Sequence, residues 1–251
     1  AVTSARTVNS GVAEGTSLPA SGRASQRRGA SGAVLAPRRP NTTVHCAGQD
    51  PAAFAAYSSF LSNASQGHLG ATPAVAMSYV GLSTVSVQWF EQLKSTLDSS
   101  PGGHFIIPQI GLALPEGNAL ANVSSGGYTS QVQALVAGLK ALGRPAYIRV
   151  GYEFNGQWNN YPSVPYISAW NFIVGAWRAD PTLARSVAAV WDFSCDAAPD
   201  RLDYMAWHPS NEVPDWWGVN IFSGNSLASS PCVRGFVEAA GTAGVPVMLG
   251  E

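Results

Sequence analysis

Seven short runs of apolar and β-branched residues recur along the chain from residue 44 onward. Each run is five to seven residues long and has few polar breaks, which is typical of strands that are covered on both faces. The runs are residues 44–48, 74–80, 104–110, 146–151, 187–193, 217–222 and 245–249. The pattern therefore predicts seven buried strands.

Segments with helical spacing of apolar residues lie between these runs. They are residues 51–62, 84–98, 128–142, 166–178, 201–206 and 231–243. Strands that alternate this regularly with helices favour a parallel sheet whose connecting helices lie outside it. The sequence thus indicates the α/β class.

Two parallel architectures fit this alternation, a doubly wound open sheet and a closed barrel. A doubly wound sheet should carry a glycine-rich phosphate-binding turn after its first strand, but residues 47–51 read AGQDP. The sequence therefore predicts a (β/α)8 TIM-type barrel. Because a barrel needs eight strands and the seventh run ends the chain, we expect a barrel truncated after strand 7, with the eighth βα unit missing.

The first 43 residues differ in composition from the rest of the chain. They contain six Arg and no Lys, with Glu14 as the one acidic residue, among many Ser, Ala and Gly. Such an Arg- and Ser-rich, acid-poor segment resembles a transit peptide, and a disordered linker has the same composition. We expect two parts, a disordered low-complexity leader over 1–43 and the barrel domain over 44–251.

Composition limits the partners of the chain. Charged residues make up only 12%, the formal net charge is −1, and there are 8 Trp and 8 Tyr. This balance offers no basic surface for nucleic acid or anionic membranes, and no apolar run is long enough to span a bilayer. Many aromatic side chains and few charges suit a protein that stacks on neutral, ring-shaped ligands.

Cysteine and histidine positions give no sign of a metal or other cofactor. The three Cys lack CxxC spacing, and the four His lack any ligand spacing. Cys195 and Cys232 both follow predicted strands, so they could pair, or they could remain ordinary thiols. We expect no cofactor and no metal site.

Two glutamates close predicted strands, where a barrel carries its chemistry. Glu153 follows the fourth strand and Glu251 follows the seventh, on nearly opposite sides of an eight-stranded barrel. Two opposed carboxylates perform glycoside hydrolysis when one protonates the leaving oxygen and the other attacks the sugar carbon. A separation of about 5–5.5 Å would make the enzyme retaining.

Polar and aromatic residues at the ends of the fourth, fifth and sixth predicted strands are candidates for substrate binding, with Trp191 and Asp192 at the fifth and Asn220 at the sixth. The candidates are Arg149, Tyr152, Asn155, Trp158, Trp191, Asp192 and Asn220. Arg149 lies four residues before Glu153 and shares its strand parity, so we expect its side chain to point into the barrel. It could instead form a structural ion pair below the site, each Trp could serve packing alone, and Asp192 could cap a helix. Trp158 is the best candidate for a sugar platform, because it follows Glu153 in a loop at the active face.

Three segments resemble glycoside hydrolase family 26, which includes β-mannanases. Residues 147–159 resemble its fourth-strand motif R-x-x-H-E-x-N-G-x-W, with Arg149, Glu153, Asn155, Gly156 and Trp158 in register and Tyr152 in place of the usual His. Residues 207–220 resemble the sixth-strand segment, and residues 245–251 resemble the nucleophile segment of the seventh.

The resemblance implies a role for each glutamate. Glu153 would be the acid/base and Glu251 the nucleophile. The family usually carries a Tyr near the sixth-strand tip that contacts the nucleophile, and Phe222 is the nearest candidate here. Phe222 lacks that hydroxyl.

We therefore expect a retaining glycoside hydrolase that cleaves a β-linked polysaccharide, with β-mannan favoured by the resemblance. An enzyme of the same clan that acts on xylan or β-glucan would fit the same residues. A catalytically impaired sugar-binding barrel and an inactive fragment also stay open. We expect a polysaccharide or oligosaccharide partner, a monomer at full length, and an extracellular or secretory location.

Overall fold

The structure is a computed structural model that describes residues 46–47, 74–100, 102–222 and 229–250. The predicted leader over 1–43, the predicted helix over 51–62 and Glu251 lie outside the described residues. The division of the chain into a leader and a barrel domain therefore stays a prediction.

Strands and helices alternate along the described chain, as the pattern predicts. The strands are β1 (Cys46–Ala47), β2 (Val75–Gly81), β3 (Ile107–Ala113), β4 (Ala146–Val150), β5 (Val187–Ser194), β6 (Trp216–Asn220) and β7 (Val247–Leu249). The α-helices are α1 (Val87–Ser99), α2 (Thr129–Leu142), α3 (Ser163–Arg178), α4 (Leu183–Ser186) and α5 (Pro231–Ala243).

The described strands form one parallel sheet whose spatial order is the chain order, from β1 to β7. A doubly wound sheet reverses its strand order at a switch point, and this sheet does not reverse. An open, doubly wound fold is therefore excluded.

The sheet is curled into a barrel wall. The side chain of Gln109 on β3 donates a hydrogen bond of 3.2 Å to the carbonyl oxygen of Gly250, directly after β7. Four strand spacings would separate β3 from β7 by about 19 Å in a flat sheet. The predicted (β/α)8-type barrel is confirmed as the fold.

Apolar side chains fill both sides of the wall. The larger cluster lies between the sheet and the helices and includes Trp170, Trp177, Trp191 and Phe236. A second, smaller cluster lines the inside of the barrel at the amino-terminal part of the strands, and contains Val75, Tyr147, Ala188, Val190 and Trp216. The carboxyl-terminal part of the interior is left for polar side chains.

Two predicted elements differ from the structure by more than a shift of one strand or helix end. The third strand, predicted over 104–110, covers Ile107–Ala113, because Gly103–Phe105 forms a 3₁₀ turn. The helix predicted over 201–206 is replaced by two 3₁₀ turns, Pro199–Arg201 and Tyr204–Trp207, because the backbone leaves the helical region at Asp203 (φ −78°, ψ 69°).

Cys195 and Cys232 form a disulfide, with Cα atoms 5.9 Å apart and a sequence separation of 37 residues. Of the two states left open by the sequence, the paired one is therefore observed. The bond joins the residue after β5 to the first turn of α5, so it ties a loop at the carboxyl end of the sheet to the outer helix layer.

Within the described ranges, no helix combines the length and the apolar character needed to cross a bilayer.

Candidate active site

The site is built on side chains that point into the barrel from the carboxyl-terminal halves of the strands. Successive residues of a strand point to opposite faces, so residues two positions apart point to the same face. Arg149 therefore points into the barrel as Tyr147 does, and Asp192 points inward as Val190 does. Arg149, Asp192 and Asn220 are fully buried, and they lie above the apolar interior cluster.

A buried ion pair forms the floor of the site. The Arg149 Nη1 atom donates to Asp192 Oδ2 over 3.0 Å, and neither side chain is exposed to solvent. The Asn220 amide donates to the same Asp192 oxygen over 3.1 Å. A buried ion pair is tolerated when further hydrogen bonds replace lost water, and Asn220 supplies one.

Aromatic rings flank the Arg149 guanidinium. Its central carbon lies 5.3 Å from the ring centre of Tyr79 and 5.3 Å from that of Tyr152. Both distances are within the range of cation–π attraction. The sequence prediction that Arg149 points inward agrees with this placement, and the structural ion pair considered for it is present.

Glu153 lies just beyond β4 and is only 8% exposed. One carboxylate oxygen, Oε2, accepts a hydrogen bond of 2.7 Å from the Trp158 indole N–H. The other, Oε1, lies 3.4 Å from the Asn220 amide nitrogen. Asn220 therefore connects Glu153 to the Arg149–Asp192 pair.

The backbone at Glu153 is unusual, with φ at 50°. Only a few per cent of residues other than glycine occupy this left-handed region, and such strain clusters at functional sites. The surrounding loop holds it in place. The Asn159 amide donates to the carbonyls of Tyr152 (2.8 Å) and Glu153 (3.1 Å).

Trp158 folds back over its own loop to reach Glu153. A Cβ atom at Gly156 would lie 2.5 Å from the indole ring, so only glycine allows this approach. Trp158 is 44% exposed. The side chain therefore offers its N–H to the carboxylate and leaves part of its ring open to solvent.

Two tyrosine hydroxyls brace the loops beside the site. Tyr166 donates to the Val150 carbonyl over 2.9 Å, and Tyr161 donates to the Leu114 carbonyl over 3.2 Å. Burial raises the pKa of both hydroxyls well above the usual tyrosine range, so they stay protonated as donors.

The structure does not bring two of the predicted substrate-binding residues to the site. Trp191 is fully buried on the outer face of β5, stacked 4.6 Å from Phe154, because Asp192 takes the inward position. Asn155 is fully buried as well, and its amide exchanges two 2.9 Å hydrogen bonds with the Ser194 backbone. Both placements are structural, and neither side chain faces the interior.

Phe222 lies outside the sheet. Strand β6 ends at Asn220, and Phe222 is 63% exposed in the following loop, where its N–H donates to Asp196 over 2.7 Å. The predicted sixth strand over 217–222 therefore ends two residues too late, and Phe222 does not point into the barrel from a strand.

The end of β7 reaches the same place as Glu153. A Cβ atom at Gly250 would lie 2.2 Å from Asn220 Oδ1 and 2.3 Å from Asp192 Oδ1, so only glycine fits there. Asn220 in turn contacts Glu153. The strand that leads to Glu251 therefore ends beside the group of residues that holds Glu153.

The sequence pattern assigned no site role to Tyr79 or Gln109. Both project inward, Tyr79 from β2 beside Arg149 and Gln109 from β3 onto Gly250. The signal that could have found them is strand parity, since each lies an even number of positions from an interior apolar residue of its own strand. In the part of the chain that the structure describes, no three His, Cys, Asp or Glu side chains lie close enough to hold a metal ion.

No protein-family model matches the sequence. Two curated relatives are similar to it, and both are named β-1,3-xylanases. The Vibrio protein is 26% identical over 167 residues, which is 62% of this chain and 34% of that protein. The Alcaligenes protein is 27% identical over 186 residues, which is 70% of this chain and 36% of that protein. The chain therefore spans about a third of the length of these relatives.

Solved structures of family 26 glycoside hydrolases share the fold. A β-mannanase from a symbiotic protist of the termite Reticulitermes speratus, complexed with gluco-manno-oligosaccharide, has a TM-score of 0.58 at 14% identity, covering 82% of this chain and 72% of that one. A family 26 protein from Muricauda has a TM-score of 0.55 at 15% identity. The match covers 71% of this chain and 60% of that one. The described residues therefore adopt the barrel fold of the family 26 glycoside hydrolases.

Proposed function

We propose that this chain is the catalytic barrel of a retaining glycoside hydrolase that cleaves a β-linked polysaccharide. One observation carries the proposal. A buried glutamate, Glu153, lies at the carboxyl end of a barrel strand in strained backbone, and its two carboxylate oxygens contact Trp158 and Asn220. Active sites of such barrels lie at this end of the strands.

In this proposal Glu153 is the general acid and base. It protonates the glycosidic oxygen as the bond breaks, and then removes a proton from the water that releases the sugar. The contacts from Trp158 and Asn220 fix the orientation of its carboxyl group. Holding an acid in one geometry lowers the entropic part of the barrier.

Glu251 is the proposed nucleophile. The support for this role is the position of Gly250, which comes against Asn220 and Asp192 beside Glu153. A carboxylate that follows Gly250 would attack the sugar carbon and form a covalent glycosyl-enzyme, so that two displacements retain the configuration. The Arg149–Asp192 pair and Asn220 then act as a fixed polar floor beside Glu153 and the end of β7.

Substrate-binding roles are proposed for the residues that remain near Glu153. The exposed part of the Trp158 ring is a platform for a sugar face, since apolar C–H groups pack on indole while hydroxyls stay free. Tyr152 stands where the family carries His, and its ring lies beside the Arg149 guanidinium.

Two substrates are supported by different observations. The sequence relatives at 26% and 27% identity are named β-1,3-xylanases, so β-1,3-xylan is the first candidate. A structure neighbour with the same fold was solved with a gluco-manno-oligosaccharide, so β-mannan is the second. We rank β-1,3-xylan ahead of the mannan favoured by the motifs, because the xylanases are more similar to this chain in sequence.

A secreted location is part of the proposal. The Cys195–Cys232 disulfide suits an oxidising compartment, and a polysaccharide substrate lies outside the cell.

The first experiment is a substrate panel combined with one isosteric variant. The full chain is incubated with β-1,3-xylan, β-1,4-xylan, β-mannan, β-glucan and cellulose, and released reducing ends are measured. Glu153→Gln should abolish release from the polysaccharide, yet retain the initial burst of dinitrophenol from a 2,4-dinitrophenyl glycoside, whose leaving group needs no proton. Later turnovers should be slow, because Glu153 also activates the water that releases the sugar.

A matched control is Glu91→Gln on the exposed side of α1, which should keep the unmodified rate on both substrates. Equal loss on both substrates in Glu153→Gln would contradict the acid role. The sugar-binding hypothesis predicts that the unmodified protein is retarded in a polysaccharide gel and releases nothing from any substrate.

A further inference from the structure

We propose that Gln109 is a positioning residue for the nucleophile strand, holding the end of β7 from across the barrel. This inference rests on the proposed function, because it concerns the peptide group that precedes Glu251. Gln109 touches no reacting atom in this account, and acts through the Gly250 carbonyl.

The contact is direct and buried. Gln109 lies in the middle of β3, points into the barrel and is 3% exposed. Its amide nitrogen donates to the Gly250 carbonyl oxygen over 3.2 Å. Its second neighbour is the Met77 sulfur at 3.6 Å, and a thioether is a weak acceptor. The Gly250 carbonyl is therefore the principal partner of this amide.

Within the described ranges, few other bonds hold Gly250. The Gly250 N–H donates to the Val219 carbonyl over 2.9 Å, which continues the ladder between β6 and β7. That ladder bond fixes the peptide group before Gly250 along β6, whereas Gln109 contacts the peptide group after it. Strand β7 has only three residues, so little of it resists a rotation of its last peptide group.

Gln109 reaches Gly250 from the side of the barrel opposite to the hydrogen bonds between β6 and β7. It reaches Gly250 from β3, through the interior, and meets the carbonyl at the other end of the residue from the N–H held by β6. Two anchors from opposite walls define the direction in which the chain leaves β7. Among the described residues, no second hydrogen bond holds the Gly250 carbonyl once this amide is removed, and a displacement of about 1 Å at a reacting group can cost about 100-fold in rate.

The test measures formation of the covalent intermediate. The probe is a 2,4-dinitrophenyl 2-deoxy-2-fluoro-β-glycoside of the sugar that the unmodified protein hydrolyses, and intact mass follows its attachment. Its leaving group needs no proton from Glu153, so the maximal trapping rate reports nucleophilic attack. In Gln109→Met, which keeps side-chain size and removes the donor, this rate should fall about 10- to 100-fold while the probe dissociation constant stays within about twofold.

A control separates positioning from loss of stability. Asn171 accepts a hydrogen bond from the Glu212 N–H over 3.1 Å on the outer helix layer. Asn171→Leu removes this bond away from the site, and should lower the melting temperature without changing the trapping rate. Trapping of Gln109→Met at the unmodified rate would overturn the inference, as would an equal fall in Asn171→Leu.

A second variant keeps the test decisive if Gln109→Met does not fold. Gln109→Glu keeps the shape, but its carboxylate cannot donate until it is protonated. The trapping rate, divided by that of the unmodified protein, should be low at neutral pH and rise as the pH falls. A ratio near one at every pH would overturn the inference. If the unmodified protein is not trapped by any probe sugar, the proposed function fails instead.

Discussion

The sequence was sufficient to select Glu153 as a candidate, but the orientation of its carboxyl group required the structure. Its position after a predicted strand, and the motif around it, were enough to select it from the sequence. Its left-handed backbone and its contact with Trp158 were not predictable, because both depend on how the 151–160 loop folds back. Sequence pattern identifies the residue, whereas the loop determines the orientation of its carboxyl group.

Trp158 has two separable roles in this account, and two substitutions divide them. Trp158→Ala removes both the ring and the N–H donor, and should lower kcat/KM by an amount equivalent to about 1–3 kcal/mol. Trp158→Phe keeps a ring face and removes only the 2.7 Å hydrogen bond to Glu153. It should lower kcat more than it raises KM.

Steady-state kinetics on the polysaccharide or oligosaccharide substrate measures both variants. An unchanged kcat/KM in Trp158→Ala would assign the residue to packing alone. Equal effects of Ala and Phe on KM would assign the whole contribution to the N–H donor, because Phe keeps a ring face and lacks only the hydrogen bond to Glu153.

His208 makes the stability of the barrel depend on pH. It is half-buried against Trp191, with ring centres 4.9 Å apart, and burial lowers its pKa below the usual value of 6.5. As the pH falls through 6.5, the unfolded chain takes up a proton that the folded chain does not. The stabilisation is therefore complete above this pH and is lost as the pH falls toward the lower folded pKa.

Chemical unfolding between pH 8 and pH 5 measures this contribution. In His208→Phe the fall in free energy of unfolding over this range should be shallower than in the unmodified protein, while the slopes above pH 7.5 should agree. Identical slopes across the whole range would contradict the assignment.

At the scale of elements, strand parity decides which predicted residues reach the site. The sequence predicted the inward direction of Arg149 from its parity with Glu153, and the structure agrees. Trp191 and Asp192 were both placed at the fifth-strand tip, although neighbours on a strand must point to opposite faces. Apolar runs covered on both faces give no sign of which face is inside, so the outward position of Trp191 required the structure.

The Arg149–Asp192 pair joins β4 to β5 and should be costly to break. Arg149→Met leaves Asp192 with a buried, uncompensated charge, and should lower the free energy of unfolding by about 3–5 kcal/mol. The double variant Arg149→Met/Asp192→Asn removes both charges and should recover most of that loss. Denaturant unfolding tests this, and a double variant no more stable than Arg149→Met would contradict it.

The disulfide joins β5 to α5 and should stabilise the barrel. It closes a loop with 37 residues of separation, for which the reduction in unfolded-chain entropy is worth about 2–4 kcal/mol. The Cys195→Ala/Cys232→Ala variant should unfold at a correspondingly lower denaturant concentration. Cys195→Ala alone should lose as much, and a larger loss in the double variant than in the single one would indicate packing effects instead.

At the scale of the whole molecule, the apolar side chains that pack the barrel interior and the polar side chains of the candidate site occupy opposite ends of the barrel. Apolar side chains fill the interior at the amino ends of the strands, and polar side chains gather at the carboxyl ends. The alternation of strands and helices, together with the lack of a glycine-rich phosphate-binding turn after the first strand, was sufficient to predict this architecture. The contacts across the barrel, such as Gln109 to Gly250, were not predictable, because they join residues 141 positions apart.

The central claim is that Glu153 belongs to a retaining pair of carboxylates, and the anomeric form of the first product tests it most directly. Proton NMR of a β-linked oligosaccharide, recorded during the first minutes of hydrolysis by the full chain, distinguishes the two anomers before mutarotation mixes them. Retention of configuration means that the β-anomer appears first and the α-anomer grows later. An initial burst of the α-anomer would contradict it.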